Sequence, residues 1–272
     1  MDALIFMLVL GLALGLIIGL AAKFFAVEHD PRIEQVEEML PGTNCGACGF
    51  AGCADMARAL VAGQAGPEQC PSSPSEAVRQ IAAFLGIEAA ERTRQAAAVR
   101  CGGDDRAASR AAGYNGVADC RSAALVAGGA KGCEYGCLGL GTCSRVCPFN
   151  AIEMRDGLAI VHPEVCTGCG KCLAACPRNL IVLAPVSSPV HIFCNSPLRG
   201  AAKTKVCKVS CIGCRKCQKE AGAESIEMDG FLARVIYDRP PPVEVAAVCP
   251  TGCLKPASAL AEGNVNAERS GG

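Results

Sequence analysis

The chain contains no tryptophan and only three tyrosines and eight phenylalanines in 272 residues. Large aromatic side chains carry much of the burial in ordinary cores, so a single broad aromatic core is excluded and small units held by other means are expected. Excess charge is missing as well: 26 basic and 26 acidic residues cancel, leaving no global field to draw in nucleic acid. Histidine is scarce, and His29, His162 and His191 are scattered, which fits surface or packing roles rather than metal ligation. No GxGxxG follows a strand pattern and no GxxxxGK[ST] occurs, so no nucleotide site is recognisable. Gly136, Gly139 and Gly141 fall among cysteines and read as part of their loops. Nothing resembles a nucleophile–base pair, and Glu34, Glu37 and Glu38 read as a solvated helix face.

Against these absences stand 21 cysteines. Cys166, Cys169, Cys172 and Cys176-Pro177 follow C-x2-C-x2-C-x3-C-P, the spacing with which bacterial ferredoxins hold [4Fe–4S] cubanes. In that arrangement three cysteines serve one cube and the fourth reaches its neighbour. Cys133, Cys137, Cys143 and Cys147-Pro148 precede it with irregular spacing. Ligand exchange between the runs assigns one cluster to Cys133, Cys137, Cys143 and Cys176 and another to Cys147, Cys166, Cys169 and Cys172. Zinc ribbons want separated CxxC pairs instead, and an odd cysteine count in a cytosolic context argues against disulfides.

Taken from the start, Ala3 to Ala22 is an unbroken apolar run, spanning roughly 30 Å at about 1.5 Å per residue, the thickness of a bilayer core. It lacks the basic leader and cleavage site of a signal peptide and is expected to remain as a transmembrane helix, with Lys23 and Arg32 placing the cysteines in the cytoplasm. Gly11, Gly15 and Gly19 share one face of it, a pattern that permits close helix approach. Asp30 and Pro31 then start a helix with an Ile33, Val36, Leu40 stripe. Cys45, Cys48, Cys53 and Cys70 follow as C-x2-C-x4-C-x16-C among glycines, a further candidate cubane set. Ser73-Pro74-Ser75-Glu76 reads as a capping box opening a helix with Val78, Ile81 and Leu85. Residues 88–100 are taken as the boundary, helical or linker.

Ile152–Met154 and Leu158–Val161 around Asp156-Gly157 predict a hairpin, with Ile181–Leu183 returning as a strand. The pattern then repeats: Cys133, Cys137 and Cys143 match Cys207, Cys211 and Cys217, and Ile226–Met228 with Phe231–Val235 repeat the hairpin. The second copy adds Cys214 where the first has Leu140, and has Ala221 where the first has Cys147. It therefore keeps one cluster, on Cys211, Cys214, Cys217 and Cys249. Cys101, Cys120, Cys194 and Cys207 are left as buried free thiols or as the holders of a fifth cluster, and Cys253 as a spectator.

The expected fold class is α+β: a transmembrane anchor (1–26), a small helical 4Fe-4S domain (27–90), a linker with Cys101 and Cys120 (91–132), a two-cluster ferredoxin domain (133–186), a degenerate one-cluster ferredoxin-like block (187–256) and a flexible tail (257–272). The segment Phe25-Ala-Val-Glu-His-Asp-Pro, the stretch Leu40-Pro-Gly-Thr-Asn-Cys-Gly-Ala-Cys-Gly-Phe-Ala-Gly-Cys and Cys133-Glu-Tyr-Gly-Cys-Leu-Gly-Leu-Gly-Thr-Cys together resemble the B subunits of Rnf electron-transport complexes, in a longer form with an extra ferredoxin-like block. The resemblance implies an electron-transfer subunit of a translocase that passes electrons between ferredoxin and NAD⁺ and moves Na⁺ or H⁺ across the cell (inner) membrane. It implies soluble ferredoxin and integral-membrane, flavin-carrying subunits as partners, and no flavin or nucleotide in this chain. Ala221 and Asp238–Pro242 depart from the pattern at ligand positions. The rival readings are an anchored polyferredoxin serving another acceptor and a zinc-stabilised scaffold.

Overall fold

The computed structural model describes residues 2–24, 30–88, 90 and 92–260; residues 261–272 of the expected tail, and residues 25–29 before Asp30, lie outside them. Helix α1 covers Asp2–Phe24. Its described side chains, residues 5–21 and 23–24, are all exposed, and Gly11, Gly15 and Gly19 have nothing within 4 Å. Among the described residues no helix is long and apolar enough to cross a membrane. The expected span, Ala3 to Ala22, begins and ends on side chains outside the described set.

Three helices form the next unit: α2 (Pro31–Met39), α3 (Cys53–Val61) and α4 (Ser75–Leu85). Asp30 caps α2 as expected, its carboxylate accepting the Arg32 N–H at 2.9 Å, with Pro31 at the first helical position. The capping box before α4 does not form. Pro74 occupies the cap position without a side-chain bond and the Ser73 hydroxyl is buried without a partner, because proline directs the chain away before Ser73 can reach the first turn. Val36, Met56, Leu60 and Ile81 meet in a small core that also takes in Cys53 and Cys70.

The remainder is mixed α and β and is built twice. Strand β1 (Gln95–Val99) comes out of the stretch expected as helix or linker. After it come α5 (Cys120–Leu125), α6 (Thr142–Arg145), the hairpin β2 (Ile152–Arg155) and β3 (Leu158–Val161), α7 (Lys171–Ala175) and β4 (Ile181–Pro185). The second copy runs β5 (Val190–Ile192), α8 (Gly200–Val206), α9 (Lys216–Ala221), the hairpin β6 (Ile226–Asp229) and β7 (Leu232–Val235), and β8 (Leu254–Pro256). In each copy the first strand pairs antiparallel with the last, Val99 opposite Ile181 and Ile192 opposite Leu254. The two hairpins also correspond, with Arg155 opposite Leu158 and Asp229 opposite Leu232. The segment taken as a linker is therefore the opening strand of the first copy. Its alanines Ala96 and Ala97 pack in one buried cluster with Ile160, Ile181 and several cysteines.

Both cysteine loops pass directly against a hairpin turn, which glycine alone allows. A Cβ on Gly139 (φ +80°) would meet the Gly157 carbonyl oxygen at 2.4 Å, and one on Gly213 (φ +72°) would meet that of Phe231 at 2.9 Å. The left-handed backbone carries a penalty for any other residue.

Candidate metal centres

In the helical unit the loop before α3 winds through left-handed turns at Asn44, Gly46 and Gly49. The Asn44 carboxamide oxygen accepts the Cys53 N–H at 2.7 Å and ties this loop to the helix start. Cys53 and Cys70 are buried, and Cys45 and Cys48 are half-buried. Burial pushes the Cys45 thiol up, but hydrogen bonds from the Ala47 backbone, Ser72 and Thr43, with the charge of Lys171, outweigh it and hold it below its ordinary value.

Four cavities of similar size follow, each lined by four cysteines. One, of about 310 Å³, gathers Cys147, Cys166, Cys169 and Cys172 beside Phe149 and Ile152, the set given by spacing. Another, also about 310 Å³, gathers Cys211, Cys214, Cys217 and Cys249 beside Met228 and Ala233, again the expected set. The remaining two differ from expectation by one exchange. A cavity of about 370 Å³ holds Cys120, Cys137, Cys143 and Cys176 against Leu138 and Leu180. Cys133, expected there, instead lines a cavity of about 430 Å³ with Cys101, Cys194 and Cys207. The cause is local. Asp119 caps α5 and accepts a hydrogen bond from the Thr142 hydroxyl at 2.8 Å, while that hydroxyl accepts the Cys120 N–H at 2.7 Å. This clasp carries Cys120 to the start of α6, beside Cys143. Cys120 thus stands where the first copy, with Leu140, lacks the cysteine that the second supplies as Cys214.

The residues fit an iron–sulfur cube. In four of the sets the sulfurs ring a cavity, as a multi-iron centre requires. Backbone N–H groups also point at sulfur: Ala97 to Cys166 at 3.4 Å, Ala151 to Cys147 at 3.4 Å, Leu180 to Cys176 at 3.5 Å and Leu254 to Cys249 at 3.5 Å. The last three acceptors all precede a proline, which turns the chain so that a later N–H faces the sulfur. Burial, reinforced by neighbouring sulfurs, raises Cys143 and Cys172 to about 12, so without a cation these two side chains are thiols rather than thiolates. The histidines stay apart: His162 faces Glu153 and Glu164, and His191 bonds Tyr237 at 3.1 Å; His29 lies outside the described residues.

An Fe-S cluster family model matches residues 40–72 and the LdpA Fe-S cluster-binding domain matches residues 133–187. The chain is 43% identical over 231 residues to the B subunit of an ion-translocating oxidoreductase complex from Methanosarcina acetivorans, covering 85% of this chain and 88% of that protein. This chain belongs to the family of these B subunits. Two further members bear names that state a reaction. The B subunit of the Na⁺-translocating ferredoxin:NAD⁺ oxidoreductase complex of Acetobacterium woodii is 40% identical, covering 90% of this chain and 74% of its own. The B subunit of the proton-translocating ferredoxin:NAD⁺ oxidoreductase complex of Clostridium ljungdahlii is 40% identical, covering 93% and 90%.

Proposed function

We propose that this chain is the iron–sulfur electron-transfer subunit of a membrane-bound, ion-translocating ferredoxin:NAD⁺ oxidoreductase, relaying electrons between soluble ferredoxin and the membrane subunits. Its sites are Cys45, Cys48, Cys53 and Cys70; Cys147, Cys166, Cys169 and Cys172; Cys120, Cys137, Cys143 and Cys176; and Cys211, Cys214, Cys217 and Cys249. When bound, a [4Fe–4S] cluster supplies one-electron exchange at each, tuned by N–H bonds to sulfur and by solvent exclusion.

The observation that carries this reading is that three of the cysteine sites adjoin one another. Cys45 faces Cys169, which burial raises and the sulfurs of Cys45, Cys147 and Cys166 push further; the Ser72 hydroxyl, beside Cys45, donates to Thr167 at 3.3 Å. Cys172 in turn faces Cys143 of the following site. In the fourth site Cys214 is the one exposed cysteine, next to Arg215 and Lys216, a cationic rim suited to an acidic redox partner such as ferredoxin. The exposed apolar surface of α1 is the membrane anchor of this reading, and the cysteine-rich part lies on the cytoplasmic side.

Anaerobic stopped-flow mixing of the purified chain with reduced ferredoxin tests it. Reduction should be fast and should slow with added salt. In the Arg215→Ala, Lys216→Ala double variant the rate should fall about tenfold at low salt. Absence of reduction by ferredoxin in the cluster-loaded chain would overturn the proposal.

A further inference from the structure

Cys101, Cys133, Cys194 and Cys207 are not leftovers of the motifs. Each copy of the repeat contributes an equivalent pair. Cys101 follows β1 as Cys194 follows β5, and Cys133 precedes its cysteine loop as Cys207 precedes the other. The copies are stitched together around the cavity these four line: the Gly102 N–H donates to the Phe193 carbonyl at 3.0 Å, that of Ser109 to Val206 at 2.9 Å and that of Lys208 to Ala107 at 2.9 Å. Gly103 leaves its wall open, since a Cβ there would stand 3.2 Å from the Cys207 sulfur and 3.8 Å from that of Cys101.

An independent observation points to an anion in this cavity. Two lysines line it. Lys203 is 0% exposed; its ammonium donates to the Phe231 carbonyl at 2.8 Å and meets no carboxylate among the described residues. Lys131, 6% exposed, donates to the carbonyls of Gly103 and Gly157 at 2.9 and 2.7 Å, with Asp105 only at 3.9 Å. Gly157 and Phe231 occupy the same position in the two hairpin turns, so the two lysines bond equivalent carbonyls, although Lys131 stands two residues before Cys133 and Lys203 four before Cys207. Two buried ammonium groups with one distant carboxylate are strongly disfavoured unless another negative charge shares the cavity. Four cysteine thiolates around a cubane carry a net negative charge and would supply it.

We infer that Cys101, Cys133, Cys194 and Cys207 hold a fifth [4Fe–4S] cluster at the joint of the two repeats, with Lys131 and Lys203 as its buried counter-charges. The inference deepens the electron-relay reading and rests on it. It connects the three adjoining sites to the fourth. The Cys137 N–H donates to the Cys101 sulfur at 3.3 Å, and Cys253 packs in one buried cluster with Cys194 and Cys211. The five sites then take in every one of the 21 cysteines except Cys253, and the exposed end at Cys214 joins the others through the joint.

The test is anaerobic purification of the full chain with iron, acid-labile sulfide and zinc counted, and EPR spectra of the reduced protein. Roughly 20 irons per chain are expected, falling to roughly 16 in Cys101→Ser and Cys194→Ser. Cys133→Ser should remove the same EPR signal as those two, whereas Cys120→Ser should remove a different one. Lys203→Met, which keeps all ligands, should retain the iron and shift the potential of that signal alone to more negative values. If the serine variants do not fold, the count in the unaltered chain and the Lys203→Met titration decide. Roughly 16 irons in the unaltered chain would overturn the fifth site and leave the relay standing, while stoichiometric zinc with little iron would overturn both. Loss of different signals in Cys133→Ser and Cys101→Ser would also refute the assignment.

Discussion

Cys253, a spectator by its spacing, is 2% exposed and packs in the same buried cluster as two candidate ligands, Cys194 and Cys211. Hydrogen bonds with Cys194 and Cys211 hold its own thiol well above the ordinary value, reinforced by burial. The same bonds, against the opposing effect of burial, pull Cys194 down to about 6 and Cys211 down to about 5. Cys253 therefore remains a thiol and has one S–H to give to two sulfurs. A hydrogen bond to a ligand thiolate favours the reduced, more negative state of its centre and raises its potential; replacing Cys253 by alanine should lower the potentials on both sides. A charge-assisted bond is worth ~1.5–3 kcal/mol in total, and S–H is a weak donor. If about a third of that differs between redox states, the effect is ~0.5–1 kcal/mol, or roughly 20–45 mV for a one-electron couple, summed over the two sites. The assay is an EPR-monitored redox titration of Cys253→Ala beside the unaltered chain. Two signals should move negative by that sum, the others should hold still, and the iron count should not change. Cys253→Ser, which keeps a donor, should recover most of the shift. Unmoved potentials at both sites, or loss of about four irons, would refute the reasoning, the latter by making Cys253 a ligand.

Gly139→Ala combines a left-handed backbone with a 2.4 Å approach to the Gly157 carbonyl oxygen and should destabilise the protein by about 2–4 kcal/mol in anaerobic urea unfolding. Gly230→Ala, left-handed (φ +61°) but with nothing within 4 Å, should cost only ~1–2 kcal/mol; equal costs would mean the close approach is unimportant. Burial lowers His191 from 6.5 to about 4, so the unfolded chain takes up the proton first. The stability this group contributes is complete above pH 6.5 and is lost as pH falls toward 4. Between pH 7 and pH 5 that loss is about 2 kcal/mol, and it should vanish in His191→Gln when urea midpoints at the two pH values are compared.

Much of this architecture was legible because cysteine and proline leave strong local marks. The C-x2-C-x2-C-x3-C-P run, with its fourth ligand exchanged for that of the preceding run, named Cys166, Cys169, Cys172 and Cys147 as one set, and the cavity beside Phe149 gathers these residues. Both hairpins followed from strand-forming runs flanking short turns, and the left-handed Asp156, Gly157 and Gly230 are the residues that allow them. The α2 cap was equally local. β1 was not legible: Ala96, Ala97 and Ala98 are helix formers by propensity, and only pairing with β4, far along the chain, makes them a strand. The false capping box before α4 failed for the converse reason, since its residue types matched the motif while Pro74 set a direction that they could not follow.

The exchange of Cys133 for Cys120 shows where spacing stops being informative. Spacing fixes which cysteines are near in sequence, but a site at the joint of two copies draws on chain that is distant. The signal was nevertheless present in the internal alignment. In the second copy Cys211, Cys214 and Cys217 complete a regular run without Cys207, so Cys207 belongs elsewhere. Its counterpart in the first copy is Cys133, which must share that fate if the copies are equivalent. That leaves Cys137 and Cys143 with Leu140 between them and one ligand short. A cysteine outside the motif has to fill the place, and the Asp119–Thr142 clasp brings Cys120 there. The repeat thus predicts both halves of the exchange from residues alone: the cysteine before each loop goes to the joint, and the copy that lost its middle cysteine acquires another from the segment ahead of it.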